Sequence, residues 1–238
     1  MDIHHTVIDE AQDLSPFMFD MLMELCHNAS FTIVGDLNQG IHSYRGVTDW
    51  TAMTGEVFGE GSADYYELIT SYRNTVEIMR FASQIALKHP YPGQQAAKPV
   101  LRHGSVPRVL PASRRAAADI ANEIARLKAE GCQTIAVIEK LPEDCKKLYQ
   151  KLKPLVEDDI RLLRDEDAEY TGGVMVLPAH LSKGLEFDAV IVANASRENW
   201  PDDVLHARLL FVCLTRPLHH LTLFYQGKPS LLLPEAIN

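Results

Sequence analysis

Short apolar runs alternate with amphipathic stretches along most of this chain, and several of the runs end in a dense polar cluster. Runs of four to six residues rich in Val, Ile and Leu read as buried strands. The stretches between them, with apolar residues at helical spacing, read as helices. Such an alternation implies an α/β fold with a mostly parallel sheet flanked by helices. In sheets of this kind the working residues sit on loops at the carboxyl ends of strands. The polar clusters of this chain fall there.

The first run, His5 to Ile8, ends in Asp9-Glu10-Ala11-Gln12-Asp13. Ser15 and Pro16 then give a capping hydroxyl followed by proline in the first turn of a helix. Phe17, Met18, Met21, Leu22 and Leu25 recur at helical spacing and predict a stripe facing the core. Phe31 to Val34 is a second strand, closed by Gly35-Asp36. Residues Trp50 to Ala63, with three glycines, read as a connecting region that separates domains 1–63 and 64–238. Beyond it the pattern predicts strands over Tyr65 to Ile69, Val106 to Leu110, Thr134 to Ile138, Val174 to Leu177, Ala189 to Ala193 and Leu221 to Tyr225. Helices are predicted over Thr75 to Lys88, Arg115 to Glu130, Glu143 to Leu152 and Leu205 to Leu214.

Two clusters carry chemistry on their residue types alone. A strand ending in Asp9-Glu10 suits a site for Mg²⁺ and a nucleotide. One carboxylate can hold the ion, commonly through water. The next can orient or deprotonate an attacking water. A solvated acidic turn is the plain alternative for Asp-Glu alone, and the longer string with its capped helix is more specific. The second cluster runs from Val34 to Gly46 and holds Gly35, Gly40 and Gly46, which let the backbone pass close to a ligand. Within it Gln39 can sense a phosphate or its water. Tyr44 can stack on a base; a glycine-rich surface loop with one packed tyrosine is the alternative.

These two clusters resemble motifs II and III of the UvrD/Rep family of superfamily 1 helicases. Later segments resemble the remaining motifs in order: Ser71-Tyr72-Arg73-Asn74 motif IV, His180 to Asp188 motif V, and Leu210 to Arg216 motif VI. The resemblance spans Val7 to Arg216. It implies a RecA-like fold: 1–63 would be the C-terminal remnant of a first RecA-like domain and 64–238 a second. It implies an ATP-dependent enzyme using ATP and Mg²⁺, acting on single-stranded DNA in the cytoplasm. By matched position, Asp9 would bind Mg²⁺, Glu10 would be the catalytic base, and Gln39 would couple the γ-phosphate to the strand-binding surface. Arg73 and Arg216 would reach the γ-phosphate, where transition-state charge needs fixed cations. Gly184 and Glu186 would lie near the ribose and phosphates. Tyr44, Arg45 and His180 match positions that face single-stranded DNA.

The sequence departs from the family pattern at His42, Pro178, His206 and Pro217. Proline at 217 removes a backbone donor and should end the helix before it. No GxxxxGK[ST] string occurs, and Gly227-Lys228 is followed by Pro229. The expectation is therefore a piece of a longer protein whose upstream part carries the phosphate-binding loop, inactive toward ATP by itself. Arg73 and Lys183 are only 110 residues apart, too close for the large insertion common in the family. That spacing, with the strings around Leu14 and Leu181, resembles the HelD/helicase IV branch. The branch implies RNA polymerase as an alternative partner, released from nucleic acid by the same engine.

Composition narrows the partners. The net charge is −9 over 238 residues, without a long Lys/Arg run, so any grip on nucleic acid must come from a few local residues. Cys26, Cys132, Cys145 and Cys213 form no CxxC pair and are expected as buried reduced thiols. No apolar run reaches the length of a membrane span, and the N-terminus lacks the basic segment of a signal peptide.

Overall fold

In the computed structural model, residues 3–26, 30–41, 46–59, 61–91, 94, 98–99, 102–157, 159–164 and 172–234 are described. The chain divides into two units: Met1–Leu68 with Pro90–Gln95, and Ile69–His89 with Ala96–Asn238.

In the first unit, β1 (His5–Ile8) and β2 (Ser30–Ile33) pair in parallel, His5 opposite Ser30 and Ile8 opposite Ile33. A parallel pair needs a crossover, and α1 (Pro16–Leu25) supplies it. Ser15 caps α1 by accepting the Met18 N–H, with Pro16 in the first turn, as the sequence predicts. The face of α1 differs from expectation. Phe17 is 69% exposed and Leu25 71%, with Met18 and Met21 also exposed. The packed stripe is Phe19, Leu22 and Cys26, again at helical spacing. The helix is apolar almost all round, so periodicity alone cannot choose its buried face.

The connecting region predicted over Trp50 to Ala63 contains a helix, α2 (Trp50–Phe58). Asp49 caps it, its carboxylate accepting from the Thr51 and Ala52 N–H groups at 2.8 and 3.1 Å. Gly59, at φ 83°, ends it. Gly55 hid this helix: a glycine inside a helix costs only about 1 kcal/mol, and the cap and packing offset it.

The second unit begins with β3 (Thr70–Ser71), α3 (Val76–Ala86) and β4 (Lys98–Pro99), β3 pairing with β4. The strand predicted over Tyr65 to Ile69 is absent. Tyr65, Tyr66 and Leu68 are exposed there, and aromatic content makes no strand without a partner to pair with. The main sheet follows: β5 (Arg108–Pro111), α4 (Ala116–Ala129), β6 (Thr134–Glu139), α5 (Pro142–Leu152), β7 (Ile160–Leu162), β8 (Gly173–Pro178), β9 (Phe187–Val192), α6 (Val204–Leu214) and β10 (Pro217–Tyr225). Its six strands are all parallel, in the order β5-β10-β9-β6-β8-β7.

The inner strands β6, β8 and β9 are buried on both faces, which is why they read as near-continuous apolar runs. Ala136 and Ile138 of β6 face α3 and α6, while Ile135 and Val137 face α4 and α5. Asp188 pins the starts of the two central strands. Its carboxylate accepts from the Gln133 and Thr134 N–H groups, and its own N–H donates to the Thr134 hydroxyl. Glu123, buried on α4, is satisfied by Arg108, Arg126 and the Thr222 hydroxyl. All four cysteines are buried with free thiols. No helix among the described residues is long and apolar enough to cross a membrane.

Candidate functional site

β1 delivers Asp9 and Glu10 to the carboxyl end of the first sheet, both exposed. Asp9 accepts the Glu10 N–H at 2.8 Å. Glu10 lies in the left-handed region, at φ 53° and ψ 34°, as no other non-glycine does among the described residues. Such a conformation is strained for a side-chain-bearing residue, and strain of this kind clusters at functional sites.

Gln12 ties that turn to the second cluster. It is 1% exposed. Its amide donates to the Glu10 carboxylate, and its carbonyl oxygen accepts the Asp36 N–H at 3.0 Å. The Asp36 carboxylate then accepts from Asn38 N–H at 2.9 Å and from the Gln39 amide at 2.8 Å. An unbroken hydrogen-bonded chain therefore runs Glu10–Gln12–Asp36–Gln39. Gly35 makes room for it: a Cβ there would lie 2.6 Å from the Gln12 carbonyl oxygen and 2.8 Å from the Trp50 ring. The close approach that this glycine permits is thus to the protein's own side chains. Tyr44 and Arg45, expected to face single-stranded DNA, and His42 lie outside the described residues.

The second unit assembles the other candidates. Arg73 follows β3, and its Nε lies 2.7 Å from the Glu186 carboxylate, both side chains nearly half exposed. Exposed pairs of this kind contribute little to stability, about 0–1 kcal/mol, so Arg73 is held without being locked. Arg216 stands between α6 and β10 and is 2% exposed. Its Nε donates to the Val212 carbonyl at 2.9 Å, and a terminal nitrogen donates to the Thr215 hydroxyl at 3.1 Å. A cation at a helix C-terminus is favoured by the helix dipole. Pro217 does end the helix: α6 stops at Leu214 and β10 begins at the proline.

His180 sits half-buried in a short 3-10 turn, Ala179–Ser182, that follows β8. Gly184 has φ 78°, a left-handed turn that returns the chain toward Glu186 and β9. Ser182 donates to the Cys213 sulfur, and burial pushes that thiol up to about 12, so it stays protonated. His206 lies in the first turn of α6 against the Asp203 carboxylate, 2.8 Å from Nδ1, with Lys140 at 3.4 Å from Nε2. Burial, then the hydrogen bonds from His206, set Asp203, whose net shift is downward.

Four residues absent from the sequence-based set belong to this arrangement. Gln12 and Asp36 join the candidate base to Gln39. Asn74 and Arg102 join the Arg73 and Arg216 segments. Gln12 stood inside the acidic string, but its role depends on burial, which the string does not encode. Arg102 has no local signal at all, being 29 residues from Arg73 and 116 from Leu218.

Residues 1–52 match the UvrD/REP helicase N-terminal domain, and residues 173–224 match the UvrD-like helicase C-terminal domain. Among solved structures, the C-terminal domain of a possible DNA helicase from Lactobacillus plantarum WCFS1 is similar at 32% identity, with a TM-score of 0.57, over 71% of this chain and 95% of that one. The chain belongs to the UvrD-like superfamily 1 helicases. The six-stranded parallel sheet with helices on both faces is accordingly a RecA-like fold. Comparison with curated proteins gives no match. Within this helicase family, the two matched segments enclose the strand-end carboxylates at one end of the chain and Gly184, Glu186 and Arg216 at the other.

Proposed function

We propose that this chain supplies the motif II to motif VI part of an ATP-dependent helicase or translocase that couples ATP hydrolysis to movement along single-stranded DNA. The observation that carries the reading is the chain from Glu10 through Gln12 and Asp36 to Gln39. A water-activating carboxylate tied to a second loop can be switched by what that loop binds. Residues 1–63 then belong to a first RecA-like domain and 64–238 to a second.

Asp9 is the residue to hold Mg²⁺: an exposed carboxylate at a strand end is the hard oxygen donor this ion takes. When bound, Mg²⁺ neutralises charge on the phosphate oxygens. Glu10 is the general base, oriented by Gln12, and Gln39 couples the γ-phosphate to the strand. Arg73 and Arg216 offset charge on the phosphoryl group. A nucleotide phosphate competes with Glu186 for Arg73, an exchange that the exposed pair permits. Gly184 and Glu186 would contact the ribose and phosphates of the nucleotide, and Tyr44, Arg45 and His180 would contact the strand. The phosphate-binding loop comes from another part of the same protein, and the site of action is the cytoplasm.

The test is ATP hydrolysis by the full-length protein, with and without single-stranded DNA, beside Arg216→Ala. DNA stimulation that the variant abolishes is expected; a loss of about 10³-fold is typical for a transition-state arginine. Hydrolysis indifferent to DNA would overturn the DNA reading. It would favour the HelD-like alternative, in which the engine releases RNA polymerase; the net charge of −9 supports a protein partner. This chain alone is expected to show no steady-state turnover, and measurable turnover would overturn that.

A further inference from the structure

We propose that Asn74 and Arg102 are positioning residues that hold Arg73 and Arg216 as one pre-assembled pair. The proposal rests on the reading that both arginines act on the nucleotide phosphates. Asn74 follows Arg73 and is 2% exposed. Its amide nitrogen donates to the carbonyls of Thr215 at 3.1 Å and Pro217 at 2.7 Å, the two peptide groups that bracket Arg216. A carboxamide nitrogen has two N–H donors, so both are spent on this one turn.

Arg102 repeats the link from the other side. One of its terminal nitrogens donates to the Arg73 carbonyl at 2.6 Å and to the Leu218 carbonyl at 2.7 Å. Two side chains thus span the same two segments, one of them buried. Two of these carbonyls, those of Pro217 and Leu218, lie where the register of β10 against β9 shifts, between Pro217 and His220. A buried carbonyl outside the ladder needs another donor.

Arg102 is itself anchored to the first turn of α3. Its carbonyl accepts the Val76 N–H at 2.9 Å. The Glu77 carboxylate takes His103 Nδ1 and the Gly104 N–H, each at 2.8 Å. Gly104 fits against Thr75, where a Cβ would lie 2.5 Å from a side-chain carbon. The start of β9 adds a backbone tie: the Phe187 N–H donates to the Arg216 carbonyl at 3.1 Å, beside the exchangeable Glu186–Arg73 pair. Neither arginine segment can shift without moving the other.

The experiment uses the full-length protein, with steady-state ATP kinetics and thermal melting of Asn74→Ala, Arg102→Leu and Arg102→Lys, alone and combined with Arg216→Ala. Asn74→Ala and Arg102→Leu are expected to lower kcat by roughly 10- to 100-fold, the scale of a small misplacement of a catalytic group, with KM within about threefold. Arg102→Lys keeps a cationic donor and should recover most of the loss. In the Arg216→Ala background the Asn74 substitution should add little. The proposal is overturned if Asn74→Ala and Arg102→Leu turn over normally while Arg216→Ala does not. It is also overturned if losses follow melting temperature and Lys rescues nothing. If Arg73→Ala and Arg216→Ala themselves turn over normally, the underlying reading fails instead. Should Asn74→Ala not fold, the exposed Arg102 carries the same tests.

Discussion

The two units follow one local grammar, apolar strand then polar cluster then helix, yet they bury it to different depths. In the second unit six strands lie between α3 and α6 on one face and α4 and α5 on the other. In the first, two strands and two helices enclose a small cluster around Phe19, Leu37 and Met53, and the outer face of α1 stays uncovered among the described residues. A parallel sheet gains stability by having both faces covered. Sequence pattern therefore writes the same elements in both places, and the number of neighbouring strands decides how much each apolar residue is worth.

The sharpest way to test that difference is to cut into each core. Trp200 is fully buried in the second unit, its indole N–H donating to the Asn194 carbonyl. Trp200→Ala is expected to cost about 4 kcal/mol, read by denaturant unfolding. A loss below about 1 kcal/mol would break the claim that this sheet is the tighter one.

Glu139 sharpens the comparison through pH. It ends β6, and burial, then the Asp144 charge, raises its carboxyl from 4.5 to about 7. The folded state therefore keeps this proton to higher pH than the unfolded chain. The stability it contributes is full below pH 4.5 and is lost as pH rises through 7. Glu139→Gln, which does not titrate, should gain about 3 kcal/mol over the parent at pH 8 and nothing at pH 4, by thermal melts across that range. An equal difference at both pH values would sink the assignment.

In the first unit, Gly35→Ala should cost about 2 kcal/mol through overpacking against Gln12 and Trp50. It should also slow ATP turnover in the full-length protein by displacing Gln12 from Glu10. A neutral result would mean that the Glu10–Gln12–Asp36 geometry is looser than described. The smallest effect is expected at Leu25→Ser, within about 0.5 kcal/mol, because that side chain already meets solvent. A large loss there would show that α1 has cover and that the contrast between the units is overstated.

Much of this was legible in advance. Five strands of the main sheet and all four of its helices lie where hydrophobic period and length put them; for β6, β8 and β9 the reason is that a strand buried on both faces must be apolar throughout. β7, three residues long, gave too short a signal. The buried face of α1 and the α2 helix are not legible in the sequence, the first because too many residues are apolar to choose among, the second because Gly55 masks a helix that its Asp49 cap secures.

The candidate site divides in the same way. Sequence by itself determined the order of the clusters, the strand-end position of Asp9 and Glu10, and the end of α6 at Pro217, since caps, proline and periodicity act within a few residues. Tertiary structure alone decided that Gln12 reaches Asp36, that Arg216 is buried against α6, and that Asn74 and Arg102 bridge segments more than 100 residues apart from each other. A buried donor takes the acceptor that the folded chain brings within about 3 Å, and no local pattern encodes that partner.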